Sequence, residues 1–350
     1  MKKIAIDARE IVKNKNTGTK RFLLLLLSCP DLKKEFDIVL FGNQYTDFEN
    51  EILKDYKKIV IKENFVLFYD QISLPKFLKK EKVDMYFSPY YKMPLFTDIK
   101  CAITIFDLTY LLVKPYKDYL SNKIYRKNFL KKSLFASCAI FTSSNNTKKD
   151  ILSLFKLKED KIKTVYLPLA DMFYDIPKID REKENYIFYL SNHLPHKNLN
   201  ALLKAYDNLP QEIKKKYKLV ISGVPENFIK EKNPYIECLG QVEDRELIKL
   251  YMKASLFVFP SLYEGFGYPP LEALACGCPV LSSNAACMPE ILGSAAVYFN
   301  PYDSDELSMK IIELLNDKDR LDFMSEAGFK RAKFYDKQKF YKGIMDFFRE

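Results

Sequence analysis

Residues 256–277 read LFVFPSLYEGFGYPPLEALACG, and the fold prediction begins from this stretch. An apolar run enters a loop that carries Gly265 and Gly267, and Pro270 then opens a helix-like segment. Proline suits the first turn of a helix, because its missing N–H costs no hydrogen bond there. A strand, a glycine loop and a helix in this order predict one β/α unit whose free N–H groups collect at the loop.

Two carboxylates flank the loop, since Glu264 lies in it and Glu272 follows two residues after Pro270. Free N–H groups beside glycines can hold an anion such as a phosphate. Carboxylates instead accept hydrogen bonds from hydroxyl groups, so the combination predicts a ligand that carries phosphates together with a sugar and a ribose. A plainer interpretation stays open at this point, in which one glutamate caps the helix and the other is solvated.

Short apolar runs alternate with longer amphipathic segments along the whole chain. The predicted strands of a first series are 4–8, 37–42, 84–88, 101–107, 138–143 and 163–167, with helices over 21–28, 118–137 and 147–157. The predicted strands of a second series are 186–190, 218–223, 235–239, 256–260, 280–283 and 296–300, with helices from about 198 and over 244–254 and 270–275. Unbroken apolar runs suit parallel strands covered on both faces. The pattern predicts two doubly wound α/β domains joined by a linker over 171–184, with the site in the cleft between them.

Composition excludes several classes of protein. The 350 residues are 48% hydrophobic and 29% charged, which excludes a disordered chain. The longest apolar run, residues 22–27, is too short to span a bilayer, and Asp7 interrupts any secretory signal. The seven cysteines have no framework spacing and are interpreted as reduced thiols. The sequence therefore predicts a cytoplasmic protein, or one attached peripherally to the inner face of the cytoplasmic membrane.

Charge is unevenly distributed along the chain. Residues 1–170 carry 32 Lys/Arg against 19 Asp/Glu, whereas residues 171–350 carry 24 against 27. Two explanations of this basic excess stay open. One is a solvated lysine-rich surface, and the other is attraction to an anionic membrane or a phosphate-bearing partner. A nucleic-acid partner is disfavoured, because no recognition-helix or RNP-type pattern accompanies the charge.

Several motifs together resemble the retaining GT-B glycosyltransferases of family 4. The spacing of Glu264 and Glu272 within SLYEGFGYPPLEALACGCPVLSSN, followed by MPEILGSAAVYFNPYDSDEL, carries most of the likeness. Other matching segments, in chain order, are IDAREIVKNKNTGTKRF, CAITIFDLTYL, FTSSNNTKKDI, FYLSNHLPHKNLNALLKAY and IECLGQVEDREL. The resemblance implies two Rossmann-like domains, residues 1–170 on the acceptor side and 185–335 on the nucleotide-sugar side. It also implies that a last helix, about 336–350, crosses back to the first domain.

The resemblance also implies roles for individual residues. It assigns catalysis to Glu264, Lys197 and Asp107. It places the donor at Gly18, Thr19, Asn192, His196, Lys197, Gly223, Val242, Glu264, Gly265, Phe266, Gly267, Tyr268 and Glu272. Glu264 would hold hydroxyls of the donor sugar, Glu272 the ribose hydroxyls, and Lys197 the diphosphate. Asn192 stands where some members carry an arginine. The donor is expected to be a nucleotide-diphosphate sugar, with no cofactor and no metal ion.

One position departs from the family pattern, since Phe106 stands where the family commonly has a histidine before Asp107. A phenylalanine cannot donate the hydrogen bond that the histidine gives to the donor sugar. Three explanations remain open here: the donor is a deoxysugar, another group substitutes, or activity is impaired.

The resemblance predicts sugar transfer to a glycan or lipid-linked acceptor in bacterial envelope polysaccharide assembly. A catalytically silent homologue that serves as a binding or scaffold subunit is the alternative. A nicotinamide oxidoreductase is disfavoured, because no Gly-x-Gly-x-x-Gly turn follows the first predicted strand. The candidate acceptor or membrane contact is a basic helix with Lys123, Arg126, Lys127 and Lys131, for which an ordinary amphipathic helix is the competing interpretation.

Overall fold

The computed structural model describes residues 1–15, 17–113, 120–174, 176, 183–192, 194–225, 227–228 and 233–350, with the side chains of residues 120–126 also left out. The chain divides into two compact units. The first comprises Met1–Leu108, Tyr119–Leu167 and Gln338–Glu350, and the second comprises Thr109–Asp118 and Pro168–Lys337.

The first unit contains a seven-stranded sheet in the order β3-β2-β1-β4-β5-β6-β7. Its strands are β1 (Lys2–Asp7), β2 (Phe36–Gly42), β3 (Lys57–Val60), β4 (Met85–Ser88), β5 (Lys100–Ile105), β6 (Ala139–Thr142) and β7 (Ile162–Thr164). All the pairings in this sheet are parallel. Both flanks of the sheet wind outward from β1, as in a doubly wound α/β fold.

The second unit contains a six-stranded parallel sheet in the order β10-β9-β8-β11-β12-β13. Its strands are β8 (Glu184–Leu190), β9 (Lys218–Ser222), β10 (Ile236–Cys238), β11 (Ala254–Phe259), β12 (Val280–Ser283) and β13 (Ala296–Phe299). This is the Rossmann order, and with the first sheet it confirms the predicted fold class of two doubly wound α/β halves.

Helices connect the strands of both sheets. In chain order they are α1 (Gly18–Leu27), α2 (Leu32–Glu35), α3 (Val66–Phe68), α4 (Leu74–Lys80), α5 (Thr109–Leu112), α6 (Leu120–Ala136), α7 (Asn145–Phe155), α8 (Leu199–Asp207), α9 (Gln211–Lys216), α10 (Asp244–Lys253), α11 (Tyr268–Ala275), α12 (Met288–Leu292), α13 (Ser304–Leu315), α14 (Lys318–Ala332) and α15 (Lys337–Arg349). Helix α11 begins at Tyr268, two residues before the predicted start at Pro270. Gly267 directly before it has a left-handed backbone and ends the loop there.

The last helix, α15, belongs to the first unit, as the family resemblance implied. Its aromatic side chains pack edge to face on the sheet, with ring centroids 5.2 Å apart for Phe348 and Phe87 and 6.0 Å apart for Phe347 and Phe141. Such pairs add about 0.5–1.5 kcal/mol each beyond the apolar area that they bury.

Two expectations from the sequence need correction. The edge strand β3 was missed, because its sequence KKIV is half polar and its residues are exposed or half-buried. The predicted linker 171–184 ends too late, since Glu184 already belongs to β8, and Asp171–Phe173 forms a short 3-10 turn. Residues 175 and 177–182 of that linker lie outside the described part of the chain.

Candidate functional site

The centre of the second sheet brings two loops together. Strand β8 pairs with β9 on one side and with β11 on the other, so the chain winds away from this point in both directions. Ligands of doubly wound sheets bind at the carboxyl ends of the strands at such a switch point. The loop after β8 carries Lys197, and the loop after β11 carries Glu264.

An ion pair joins these loops. The Nζ atom of Lys197 lies 2.7 Å from Oε1 of Glu264, and the two side chains are only 15% and 13% exposed. The Ser261 hydroxyl donates to the same oxygen at 2.7 Å. Within the described part of the chain, Oε2 of Glu264 accepts no hydrogen bond. The carboxylate is therefore held through one oxygen while the other is free to accept a hydroxyl donor.

Side chains that the sequence analysis did not select hold the two loops in place. Asn198 has a left-handed backbone, with φ of 56°, and its amide donates to the carbonyl oxygens of Pro260 at 3.1 Å and Pro301 at 2.8 Å. The Ser283 hydroxyl donates to the Ser261 carbonyl at 2.6 Å. The sequence does contain a signal for this turn, since Asn198 directly follows Lys197. Asparagine tolerates the left-handed conformation better than most residues do.

Two glycines around the site meet a steric requirement. Gly267 has φ of +84°, and a Cβ atom there would overlap the Cε atom of Met288. Gly223, after β9, has φ of +88°, and a Cβ atom would lie 2.5 Å from the Ser191 carbonyl oxygen. Both positions therefore require glycine for the packing of the chain itself.

Glu272 lies deeper than the sequence suggested. Its side chain sits on α11 and is 5% exposed, and its Oε2 atom accepts a hydrogen bond from the Tyr251 hydroxyl at 3.3 Å. Burial raises the pKa of Tyr251 well above its usual value, and the Glu272 charge raises it further. The tyrosine therefore stays protonated and donates to the carboxylate. Ribose binding by Glu272 stays a prediction.

Most of the other predicted donor residues of the second unit lie in the loops after β8 and β11, and Val242 follows the edge strand β10. His196 is 9% exposed, and its backbone carbonyl accepts from the Leu262 amide at 2.7 Å and lies 3.1 Å from the Ser261 hydroxyl oxygen. The exposed Asn192 accepts from the Leu194 amide at 3.2 Å. Phe266 is buried, and Gly265, Tyr268 and Val242 are half-buried. Donor binding by these residues stays a prediction.

The first unit holds the remaining predicted site residues. Gly18 opens α1, and no atom lies within 4 Å of the place where its Cβ would stand. Thr19 is the second residue of α1 and is half-buried. Asp107 is exposed and follows β5. Because the space around Gly18 is open, the packing of the chain itself does not require a glycine at this position.

Phe106, the residue that departs from the family pattern, packs inward. Its ring meets the Phe22 ring edge to face, with centroids 5.1 Å apart and planes at 78°. Its carbonyl oxygen accepts from the Thr147 hydroxyl at 3.1 Å. The aromatic side chain is therefore accommodated by an aromatic core rather than by a polar one.

The basic helix that the sequence proposed as a contact surface is α6. Lys127 and Lys131 are exposed on it. The side chains of Lys123 and Arg126 lie outside the described residues, as does His193 in the loop after β8. Among the described residues, no helix is long and apolar enough to cross a membrane, and no group of three or more His, Cys, Asp and Glu side chains could hold a metal ion.

Comparisons with known proteins agree with this geometry. The family model described as glycosyl transferases group 1 matches residues 174–331. The O-antigen chain mannosyltransferase B of Escherichia coli is 31% identical over 276 residues, which are 73% of this chain and 71% of that protein. The serotype-specific mannosyltransferase WbdA of the same organism is 30% identical over 243 residues, which are 63% of this chain and 29% of that protein.

The fold is shared with solved structures. HepE from Anabaena, crystallised in complex with UDP, has a TM-score of 0.76 and 14% identity, with 100% of both chains covered. At this identity the likeness concerns the fold alone. From the fold, the switch-point loops and the similarity to mannosyltransferase B, we conclude that this chain belongs to the group 1 glycosyltransferases.

Proposed function

We propose that this chain transfers a hexosyl group from a nucleotide-diphosphate sugar to a glycan or lipid-linked acceptor, with retention of configuration, in the assembly of a bacterial surface polysaccharide. The observation that carries the proposal is the Lys197–Glu264 pair, which places a cation and a free carboxylate oxygen at the switch point of the second sheet. The name of the Escherichia coli relative supports an O-antigen type of product and makes mannose the first donor sugar to test.

The proposed chemistry follows from these charges. When the bond between the anomeric carbon and the diphosphate breaks, negative charge accumulates on the leaving group. The Lys197 ammonium and the positive end of the α11 helix dipole stabilise that charge. The acceptor hydroxyl oxygen forms the new bond to the anomeric carbon on the face that the diphosphate leaves, and a diphosphate oxygen accepts its proton, so no separate general base is required. We propose that the reaction needs no metal ion, and activity that survives EDTA would support this.

Calorimetric titration with UDP, GDP, ADP and dTDP tests the proposal directly. We expect one of the four to bind at least about tenfold more tightly than the others, because a base pocket discriminates by hydrogen bonds worth about 1.4 kcal/mol or more. Sugar release from the matching nucleotide sugar is then followed with and without acceptor extracts. Absence of binding by all four nucleotides would contradict the proposal.

Phe106 raises the question of which sugar is transferred. A donor screen should use the nucleoside diphosphate that binds most tightly in the titration. It should compare the mannose derivative of that nucleotide with the corresponding 6-deoxysugar derivative. Turnover only with donors that carry a free 6-hydroxyl group would reject the deoxysugar explanation, and the Phe106→His variant would then report whether a hydrogen-bond donor at this position raises the rate.

The two glycines at residues 18 and 267 are expected to respond differently to alanine. Gly267→Ala should lower the free energy of unfolding by about 1–3 kcal/mol, because it combines positive φ with a clash. Gly18→Ala should leave the melting temperature unchanged, since space around it is open. If the diphosphate approaches the Gly18 backbone closely, the added Cβ of Gly18→Ala should obstruct it and weaken nucleotide-sugar affinity. An unchanged affinity would contradict such a close approach.

We further propose that the basic first half of the chain contacts an anionic membrane. Sedimentation with phosphatidylglycerol vesicles should show binding that weakens as salt rises, because screening shortens the reach of the lysines. The Lys127→Gln/Lys131→Gln variant should bind up to about 30-fold more weakly, at about 1 kcal/mol per lysine. The Lys215→Gln/Lys216→Gln variant on α9 is the matched control. Salt-independent binding, or equal loss in both variants, would contradict a contact through α6.

A further inference from the structure

A segment at the end of β12 lies against the loop that carries Glu264. The loop, residues 261–267, follows β11, and the supporting segment, residues 283–288 with the sequence SNAACM, begins at the last residue of β12. Strands β11 and β12 pair in parallel, so both segments leave the second sheet at the same edge. All of these residues belong to the second unit.

The supporting segment contacts the loop along its whole length. The bond from Ser283 described above fixes the start of the loop. In the middle, the Cys287 thiol donates to the backbone carbonyl of Glu264 at 3.2 Å. At the end, the Met288 side chain fills the space that a Cβ atom on Gly267 would need. The position of the loop is therefore set from the β12 side.

Glu264 is held at both ends of its side chain. Lys197 and Ser261 bind Oε1 of the carboxylate, each at 2.7 Å, and Cys287 binds the backbone carbonyl. The direction of Oε2 depends on the side-chain torsions and on the orientation of the backbone from which they start. Because the backbone end is fixed as well as the carboxylate, Oε2 keeps one position in the site.

The contact between Cys287 and Glu264 is shielded from water. Cys287 and Met288 are both 0% exposed. A thiol is a weak donor, and its hydrogen bond to a carbonyl contributes little to stability. The contact therefore matters for where the Glu264 carbonyl lies rather than for the stability of the fold.

The backbone before Cys287 is strained. Ala286 has φ of 50°, in the left-handed region. This conformation costs an L-residue about 1–2 kcal/mol. Such residues persist where the surrounding structure holds them, and they cluster at functional sites. The turn at Ala286 directly precedes Cys287 and gives it the position from which its thiol reaches Glu264.

The supporting segment is itself anchored, because it leads directly into α12. The Ile291 carbonyl on α12 accepts from Nε of Arg331 at 2.7 Å and from the Tyr335 hydroxyl at 2.7 Å. The Tyr335 ring also meets the Phe266 ring of the loop edge to face, with centroids 5.6 Å apart. The support behind Glu264 is therefore rigid.

We propose that Cys287 is a positioning residue for the reaction, which holds the Glu264 backbone so that Oε2 meets a hydroxyl of the donor sugar. The inference rests on the proposed glycosyl transfer. Groups at a reacting centre need their productive geometry to within about 0.5 Å, and supporting residues provide it. Loss of the thiol hydrogen bond lets the loop move and displaces Oε2 from the sugar, while the Lys197 charge stays in place.

Steady-state transfer by Cys287→Ala, Cys287→Ser and Cys278→Ala tests the proposal. Cys287→Ala should lower kcat about tenfold with KM within about threefold of wild type, because a displaced carboxylate loses most in the transition state. Cys287→Ser should stay within about threefold of wild type, since a hydroxyl also donates. Cys278 is the matched control, because it is also 0% exposed and its thiol lies 3.7 Å from the Ala254 carbonyl, at the opposite end of β11. Cys278→Ala should lower the melting temperature and leave kcat unchanged.

Hydrogen exchange on the full chain gives a readout that needs no activity. Peptides that cover residues 261–267 should exchange about tenfold faster in Cys287→Ala than in wild type, because the loop opens locally. The same peptides should exchange at the wild-type rate in Cys278→Ala. A purely structural role for Cys287 would instead speed exchange across the whole second unit.

The outcomes separate this inference from the proposed function. Unchanged exchange of the loop in Cys287→Ala overturns the proposal, as does a kcat within about threefold of wild type. A loss in Cys287→Ser as large as that in Cys287→Ala shows that the space matters rather than the donor, and also overturns it. An equal loss of kcat in Cys278→Ala has the same consequence. Absence of nucleotide binding by the wild-type chain contradicts the proposed function instead, and loop exchange then decides whether Cys287 holds Glu264.

Discussion

Glu264→Gln is expected to lower the rate of glycosyl transfer by about 100-fold or more, the effect of removing one fixed electrostatic contact to a reacting centre. Glutamine keeps the size of the side chain and a hydrogen bond from Ser261. It removes the negative charge at the free Oε2 position, where a hydroxyl of the donor sugar is proposed to bind. The measurement is steady-state transfer with the matching nucleotide sugar.

The control for this variant is Glu212→Gln, which neutralises an exposed glutamate in the first turn of α9 and should leave the rate unchanged. Nucleoside diphosphate affinity should persist in Glu264→Gln, because Lys197 keeps its charge. Transfer within about threefold of wild type would show that the Glu264 carboxylate does not take part in the reaction.

Lys197→Met should weaken nucleoside diphosphate binding by about 10–100-fold, since a hydrogen bond to a charged group contributes about 1.5–3 kcal/mol. It should also destabilise the fold, because the Glu264 carboxylate is only 13% exposed and would lose its counter-charge. Calorimetric titration measures the first effect and thermal unfolding the second.

The double variant Lys197→Met/Glu264→Gln separates the two roles of the lysine. It should recover most of the lost stability, because no unpaired charge remains, while nucleotide affinity stays low. Recovery of nucleotide affinity together with stability would mean that Lys197 acts on the fold alone and does not bind the diphosphate.

The order of elements was predictable from local pattern. Apolar runs such as 280–283 need both faces covered, so the pattern predicts buried parallel strands, and β12 has these bounds. The exposed edge strand β3 was not predictable in this way, because an edge position does not demand an apolar run. Asp303 precedes α13 and caps it, since its Oδ1 atom accepts from the Asp305 and Glu306 amides.

The candidate site was predictable only residue by residue. Lys197 and Glu264 are 67 positions apart, and the resemblance selected each for a separate role. Their contact depends on β8 and β11 being neighbours, which hydrogen bonding between strands decides. Ser261 and Asn198 escaped notice for the same reason, since the partners that give them importance come from distant segments.

Local periodicity therefore predicted the two doubly wound α/β halves, because it depends on near neighbours, and the motif resemblance pointed to the main polar residues of the second one. Packing between distant segments set which charges meet. It paired Lys197 with one oxygen of Glu264, buried Glu272 against Tyr251, and joined Arg9 to both Asp7 and Asp70. Pairing and burial depend on strand order and packing between segments far apart in the chain, and no local pattern records them.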